Sequence, residues 1–233
     1  MKTIVDVKKL TKKFPVGNGF FTALKDLNLE FKEGEFAGLV GPSGSGKTTL
    51  LNIIGSLDIP TAGEVVVLGE SVGKLTAQQA ADLRKHKLGF IFQSYNLLPV
   101  YTVFENVEFP LLLLNMSAAE RRKRVLESLE WVGLTDKVKS RPSQLSGGEC
   151  QRVAIARAMV KHPVLVLADE PTANLDSKNS HHILQTMLKL NEELKTSFIF
   201  ATHDEKVIAY LKRIIQLEDG RVVSDEIVEP VKS

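Results

Sequence analysis

The 233-residue sequence predicts an α/β fold, and three stretches carry that expectation. The first is a strand, a glycine loop and a helix in succession. It runs through Phe36-Ala37-Gly38-Leu39-Val40, then Gly41-Pro42-Ser43-Gly44-Ser45-Gly46-Lys47-Thr48-Thr49, then a helical stretch over residues 50–57. The second is Val164-Leu165-Val166-Leu167-Ala168, continuously apolar as a parallel strand buried on both faces must be. The third is an alternating, β-branched stretch at residues 3–10 with a returning strand at 20–31, which read as part of an antiparallel sheet of their own. The length suits a single domain, residues 1–233, with an inserted lobe.

The first strand is expected to end at Lys12-Lys13-Phe14, with Pro15-Val16-Gly17-Asn18-Gly19 as the turn before the return over 20–31. Glu33-Gly34-Glu35 turns tightly into the apolar run at 36–40. After the loop's helix, Pro60-Thr61-Ala62-Gly63 forms another turn, and residues 64–68 are a β-branched strand. The pattern changes at Leu83. Residues 87–92 read as a short buried strand ending at Gln93, followed by a polar-aromatic loop and a mostly helical region. Ser117 and Glu120 have capping-box spacing and open a helix that Gly133 closes, with Leu126, Leu129 and Trp131/Val132 as its apolar stripe. Residues 94–158 are expected to form the inserted helical lobe, between a β subdomain plus first core part at 1–93 and the rest of the core at 159–233. In the last third, residues 178–194 are a helix, 197–201 a strand, and 204–211 a helix that Asp204 can cap. Asp219-Gly220 is a hairpin turn, and residues 230–233 are expected to fray.

Composition excludes several classes. A formal net charge of +2, without a basic arm, argues against nucleic acid as a partner. The densest basic run, Arg121-Arg122-Lys123-Arg124, sits on a helical stretch with interleaved Glu and reads as a solvated helix face. Cys150 is the one cysteine, so no intrachain disulfide can form and a reducing compartment fits. Residues 1–6 lack the apolar core of a secretory signal. The longest uncharged apolar stretch, residues 109–116, falls far short of the ~20 needed to span a bilayer. A soluble chain is expected, with any membrane role exerted through a partner.

Chemistry concentrates in three places. A G-x-x-x-x-G-K-[ST] loop between a strand and a helix turns successive N–H groups around an anion and adds the helix's positive end. Lys47 supplies a mobile charge for the outer phosphates of a nucleoside triphosphate, and Thr48 a hydroxyl for its Mg²⁺. Asp169 and Glu170 end the buried strand, at the edge where open α/β sheets bind ligands. One carboxylate can enter the Mg²⁺ shell and the other can orient or deprotonate water. Leu145-Ser146-Gly147-Gly148-Glu149 precedes a helical run over 150–160 and makes a second anion site; an ordinary N-cap followed by glycines is the bland alternative. One nucleotide seldom needs two cradles, so each is expected to supply half of a shared site across a dimer. Gln93, at a strand end, could reach Mg²⁺ or the attacking water, and His203, after the strand at 197–201, could hydrogen-bond a γ-phosphate; a solvent-facing glutamine and a plain Thr-His-Asp turn are the ordinary alternatives. The other histidines (His86, His162, His181, His182) show no metal-binding spacing.

With those residues in place, the chain resembles the ATP-binding subunit of an ABC transporter over essentially its whole length. LSGGE resembles the family's signature motif, GPSGSGKTT its Walker A loop, and residues 164–169 with Glu170 its Walker B strand and catalytic glutamate. Gln93 matches the Q-loop, Asn174-Leu175-Asp176 the D-loop, His203 the switch histidine, and Phe14 the aromatic that stacks on adenine. Phe20 and Phe21 lie across the turn as alternatives for that ring. The resemblance implies a RecA-like P-loop NTPase core with an antiparallel β subdomain and an inserted helical subdomain. It implies ATP hydrolysis with Glu170, His203 and Gln93 catalytic, and Thr48, Gln93 and Asp169 around Mg²⁺. In a head-to-tail homodimer, Lys47 and Thr48 of one copy and Ser146, Gly147 and Gly148 of the other would enclose each ATP; residues 41–49, Gln93, Phe14, Glu149 and Asp176 are also implied to bind it. Integral-membrane permease subunits are the implied partners, reached from the cytoplasmic face of the membrane. Glu149 stands where Gln is common, and Ala173 where close relatives often have Gly. FQSYNLLP and ADEPTANLD resemble the lipoprotein-release and macrolide-efflux subgroup. The rivals are a non-transport ABC ATPase acting on nucleic acid or ribosomes, and a simple P-loop kinase.

Overall fold

A computed structural model describes residues 2–229. The chain opens with a long antiparallel hairpin, β1 (Thr3–Val16) and β2 (Gly19–Lys32). Its turn is shorter than the sequence predicts, because Phe14 pairs with Phe21 and Pro15 with Phe20, leaving only Gly17 and Asn18 unpaired. Pro15 is tolerated because the next strand pairs with β1 only as far as Thr11, so β1 has an open side there. β3 (Phe36–Val40) enters the glycine loop, and α1 (Lys47–Ile54) leaves it. β4 (Ala62–Val67) and β5 (Glu70–Ser71) complete a four-stranded sheet of order β2-β1-β4-β5.

α2 (Ala77–Lys87) is an element the sequence reading passed over. Only Leu83 of it is buried, so it has almost no apolar stripe; its signal is a full capping box between Thr76 and Gln79. β6 (Leu88–Ile91) follows, then α3 (Val103–Glu108), α4 (Ala118–Trp131) and α5 (Gly147–Met159). The stripe of α4 keeps the expected Leu129 and Val132 but takes Val125 in place of Leu126. Val125, Leu129 and Val132 are buried, with Ser128 between them, while Leu126 and Trp131 are half-buried. Ser117 accepts from the Glu120 N–H as expected, but the Glu120 carboxylate pairs with Arg124. Arg121 is not solvated: it donates to Glu108 on α3 at 2.8 Å and to the Met116 carbonyl at 2.9 Å.

β7 (Leu165–Asp169), α6 (Ser177–Leu194), β8 (Ser197–Thr202), α7 (Glu205–Ile208), β9 (Arg213–Glu218) and β10 (Arg221–Ile227) finish the chain. α7 stops four residues into the predicted helix, because Leu211 must turn back to cover the sheet. A Cβ on Gly38 would stand 2.2 Å from Leu211 Cδ1, so that glycine leaves the room Leu211 fills. The second sheet has the order β10-β9-β3-β8-β7-β6, parallel except for the β9–β10 hairpin. Its strands bury both faces by alternation. Phe36, Val166, Ala168, Phe198 and Phe200 join one apolar cluster with the helices; Ala37, Leu39, Leu165, Leu167, Ile199 and Ala201 join the other with α1 and the first sheet. Arg213 ties the two sheets together, donating to the Glu30 carbonyl on β2, to Glu35, and through two nitrogens to Asp225 on β10. The parallel strands β3, β7 and β8 end side by side, which brings the glycine loop, Asp169 and His203 to one edge. The expected fraying at 230–233 lies outside the described residues.

Candidate active site

The glycine loop owes its shape to close approaches that a side chain would block. A Cβ on Gly41 would stand 2.1 Å from the Leu217 carbonyl oxygen, and one on Gly46 2.6 Å from Leu24 Cδ2. Gly46 also has φ 104°, in the left-handed region that glycine favours. The Gly220 N–H donates to the Ser45 carbonyl at 3.1 Å, so the β9–β10 turn supports the loop from below. Lys47, 7 % exposed, folds back and donates to the carbonyls of Gly41 (2.7 Å) and Pro42 (2.9 Å). Burial lowers its pKa, while the charges of Glu170 and Asp169 oppose that shift.

The loop floors a cleft of about 410 Å³ whose far wall is Gln93, Asp169, Glu170 and His203. Thr48 Oγ1 donates to Asp169 Oδ1 at 3.2 Å, joining the start of α1 to the end of β7. Burial, then the neighbouring charge of Glu170, holds the Asp169 carboxyl above its usual range; the Thr48 hydroxyl and Lys47 pull it down. Glu170 has φ 45°, unusual for a non-glycine residue, and its N–H is fixed to the Ala201 carbonyl at 2.9 Å. Its Oε1 lies 2.6 Å from His203 Nδ1, and its Oε2 accepts from Thr202 Oγ1 at 3.1 Å. The Gln93 carbonyl accepts from Asn174 Nδ2 at 2.9 Å, which links the end of β6 to the segment after Glu170.

Phe14, Phe21 and Ala23 form the rim. Phe14 and Phe21 are register partners, so both rings stand on one face of the hairpin. Phe20, 73 % exposed, is not part of the lining. Lys12 lies with its Nζ 4.9 Å from the Phe14 ring centroid and is pinned by Asp58 and the Ile59 carbonyl.

Ser146, Gly147, Gly148, Glu149 and Asp176 do not line this cleft. Ser146 caps α5 in a reciprocal box: the Glu149 N–H donates to Ser146 Oγ at 3.3 Å, and the Ser146 N–H donates to Glu149 Oε2 at 2.8 Å. That N–H lowers the Glu149 pKa, and Lys137 pairs with the same carboxylate at 3.4 Å. Glu149 thus does at a helix start what a neutral Gln could also do, with an ion pair added. Ser146 and Gly147 are exposed. Gly148 is covered by Asn179, whose Oδ1 would be 2.7 Å from an added Cβ. Asp176 caps α6 through the Asn179 N–H at 2.9 Å, and that bond lowers its pKa. The sequence-predicted residues therefore divide into two groups: one cleft holding Phe14, Gln93, the glycine loop, Asp169, Glu170 and His203, and a separate helix-start surface holding Ser146 to Glu149 beside Asp176. Thr202, which holds Glu170, was missed as a site residue, and Asn174 was named only within the D-loop, without its bond to Gln93. The only sequence signal for Thr202 is its place beside His203.

Among the described residues, no group of three or more His, Cys, Asp or Glu side chains is arranged to hold a metal ion. His162 packs edge-on against Trp131, and His181 against Tyr210. No helix of the described residues is long and apolar enough to cross a membrane.

Comparison with known proteins agrees with this geometry. The family model described as "ABC transporter" matches residues 24–173. The ABC transporter ATP-binding protein MJ0796 of Methanocaldococcus jannaschii is 47 % identical over 227 residues, covering 96 % of this chain and 97 % of its own. A dimeric structure of MJ0796 in a post-hydrolysis state bound to ADP and Pi superposes with a TM-score of 0.90 at 46 % identity, over 97 % of this chain and 99 % of that one. The macrolide export ATP-binding/permease protein MacB of Burkholderia pseudomallei is 43 % identical over 96 % of this chain, which spans 34 % of that longer protein. CbiO1 of Clostridium perfringens, part of the ABC transporter complex cbiONQ, has a TM-score of 0.87 at 28 % identity, over 97 % of this chain and 88 % of that one. With a nucleotide cleft of this form and relatives of this closeness, the chain belongs to the ABC transporter family, as an ATP-binding subunit that hydrolyses ATP.

Proposed function

We propose that two copies of this chain close head to tail over ATP and drive membrane-spanning permease subunits. The observation that carries this reading is the division of the site: the glycine loop lies in the cleft, whereas Ser146 and Gly147 stand exposed at the start of α5, outside it. In the closed pair, Lys47 and the loop N–H groups of one copy grip the phosphates, and Ser146, Gly147 and Gly148 of the other cover the γ-phosphate. Asp176 and Glu149 border the same junction. Phe14, with Phe21 beside it, stacks on the base.

Thr48 and Asp169 converge at 3.2 Å and offer hard oxygen donors, a set that fits Mg²⁺, with Gln93 on the same wall completing it. The ion, when bound, screens the charge of the β- and γ-phosphates. Glu170 accepts the proton of the attacking water through Oε1, and His203 turns from that oxygen to the γ-phosphate. Once ADP and phosphate form, charge repulsion and the loss of contacts to Ser146 and His203 favour reopening.

Residues 94–158 act as the helical subdomain that passes this cycle to the permease, between the β subdomain and first part of the core at 1–93 and the rest of the core at 159–233. Membrane partners are supported by the transporter family and by the complex to which CbiO1 belongs. In this reading the chain sits on the cytoplasmic face of the membrane, attached through those partners. The likeness to MacB supports an exporter-type subgroup.

The test is Glu170→Gln. ATP binding should persist while hydrolysis falls at least ~100-fold, as expected when a general base is lost. An ATP-bound dimer should accumulate in gel filtration. Normal turnover would remove Glu170 from this role.

A further inference from the structure

We infer that Thr202 is a positioning residue for hydrolysis: it anchors one oxygen of the Glu170 carboxylate so that the other is presented to water. The inference rests on the assignment of Glu170 as general base. Thr202 ends β8 and is fully buried. Its hydroxyl accepts from the Asp204 N–H at 3.0 Å and donates to Glu170 Oε2 at 3.1 Å. The Asp204 N–H occupies a lone pair of the hydroxyl, and because the carboxylate can only accept, the hydroxyl's single proton points to Glu170. Asp204 is itself fixed: its Oδ2 accepts from Thr172 Oγ1 at 3.0 Å and its Oδ1 from the Lys206 N–H at 3.0 Å. Thr172 is buried and lies two residues after Glu170, so the two loops of the far wall are stitched together.

The two oxygens of Glu170 thereby differ. Oε2 is held from the buried side, whereas Oε1 meets His203, whose side chain is 65 % exposed, on the cleft side. His203 can leave Oε1 for a phosphate without releasing the carboxylate. The backbone of Glu170, at φ 45°, needs such support to stay in place.

The experiment compares steady-state ATP hydrolysis by the full chain as wild type, Thr202→Val, Thr202→Ser, Glu170→Gln, and Thr202→Val combined with Glu170→Gln. Thr202→Val should lower kcat by about 10- to 100-fold, the range expected for a lost hydrogen bond to a charged group. KM for ATP should hold, because Thr202 does not line the cleft. Thr202→Ser should restore kcat, and Thr202→Val should add nothing in the Glu170→Gln background. If Thr202→Val turns over normally while Glu170→Gln is slow, the inference is overturned and Glu170 keeps its role. An equal further loss in the Glu170→Gln background marks a purely structural effect and also overturns it. Normal turnover by Glu170→Gln removes the reading on which the inference stands. Should Thr202→Val fail to fold, Thr202→Ala against Thr202→Ser makes the same comparison.

Discussion

Lys47 donates to two carbonyls of its own loop, so an arriving phosphate competes with neutral acceptors and not with a counter-ion. A charge-assisted bond to phosphate is the stronger of the two, which lets the ammonium change partners. The rim residues carry a separate expectation. Stacking of an aromatic ring on a base contributes about 1–3 kcal/mol. Phe14→Ala should therefore raise KM for ATP by roughly 10-fold or more with kcat little changed. Phe20→Ala should leave both constants unaltered in the same steady-state assay. The sequence left Phe14, Phe20 and Phe21 open as stacking rings, and the reason is register. β1 and β2 are irregular between Val7 and Leu10, between Leu10 and Lys12, and between Lys12 and Lys13. Each shift changes which side chains face the cleft, and alternation alone cannot count such shifts.

The β9–β10 hairpin illustrates how an element contributes to the site without lining it. Its Asp219-Gly220 turn is plain in the sequence, but its place beneath the glycine loop is set by tertiary packing. Gly220 has φ 75°, and a Cβ there would stand 2.4 Å from the Ala23 carbonyl oxygen. Its N–H reaches Ser45, and its carbonyl accepts from the Lys25 N–H at 2.8 Å. Gly220→Ala should destabilise the fold by roughly 2 kcal/mol, from a strained backbone and a forced contact. Urea denaturation would register this as a lower midpoint with an unchanged slope, and ATP affinity should fall with it; an unchanged midpoint would mean that the turn can relax. α2 is the opposite case, an element without a legible stripe: it buries only Leu83, and the capping box at Thr76 was its one local mark. Elements with strong patterns, β3, β7, β8 and α6, sit within a residue or two of where the sequence puts them, because burial on one or both faces fixes their period.

For the whole molecule, the motifs were legible because each is a short run with its own chemistry, whereas their mutual placement was not. Parallel strands β3, β7 and β8 gather three distant segments into one cleft, and the exposed start of α5 is left out of it. On the proposed reading, that exclusion makes the chain half of a machine. The most direct measurement mixes two inactive chains, Lys47→Ala and Ser146→Arg, and follows ATP hydrolysis. In a head-to-tail pair, one site unites the intact Lys47 of one chain with the intact Ser146 of the other. Hydrolysis that neither chain shows alone should then appear on mixing. A mixture that stays as inactive as its parts, though both chains are folded and pair with each other, would contradict the shared site.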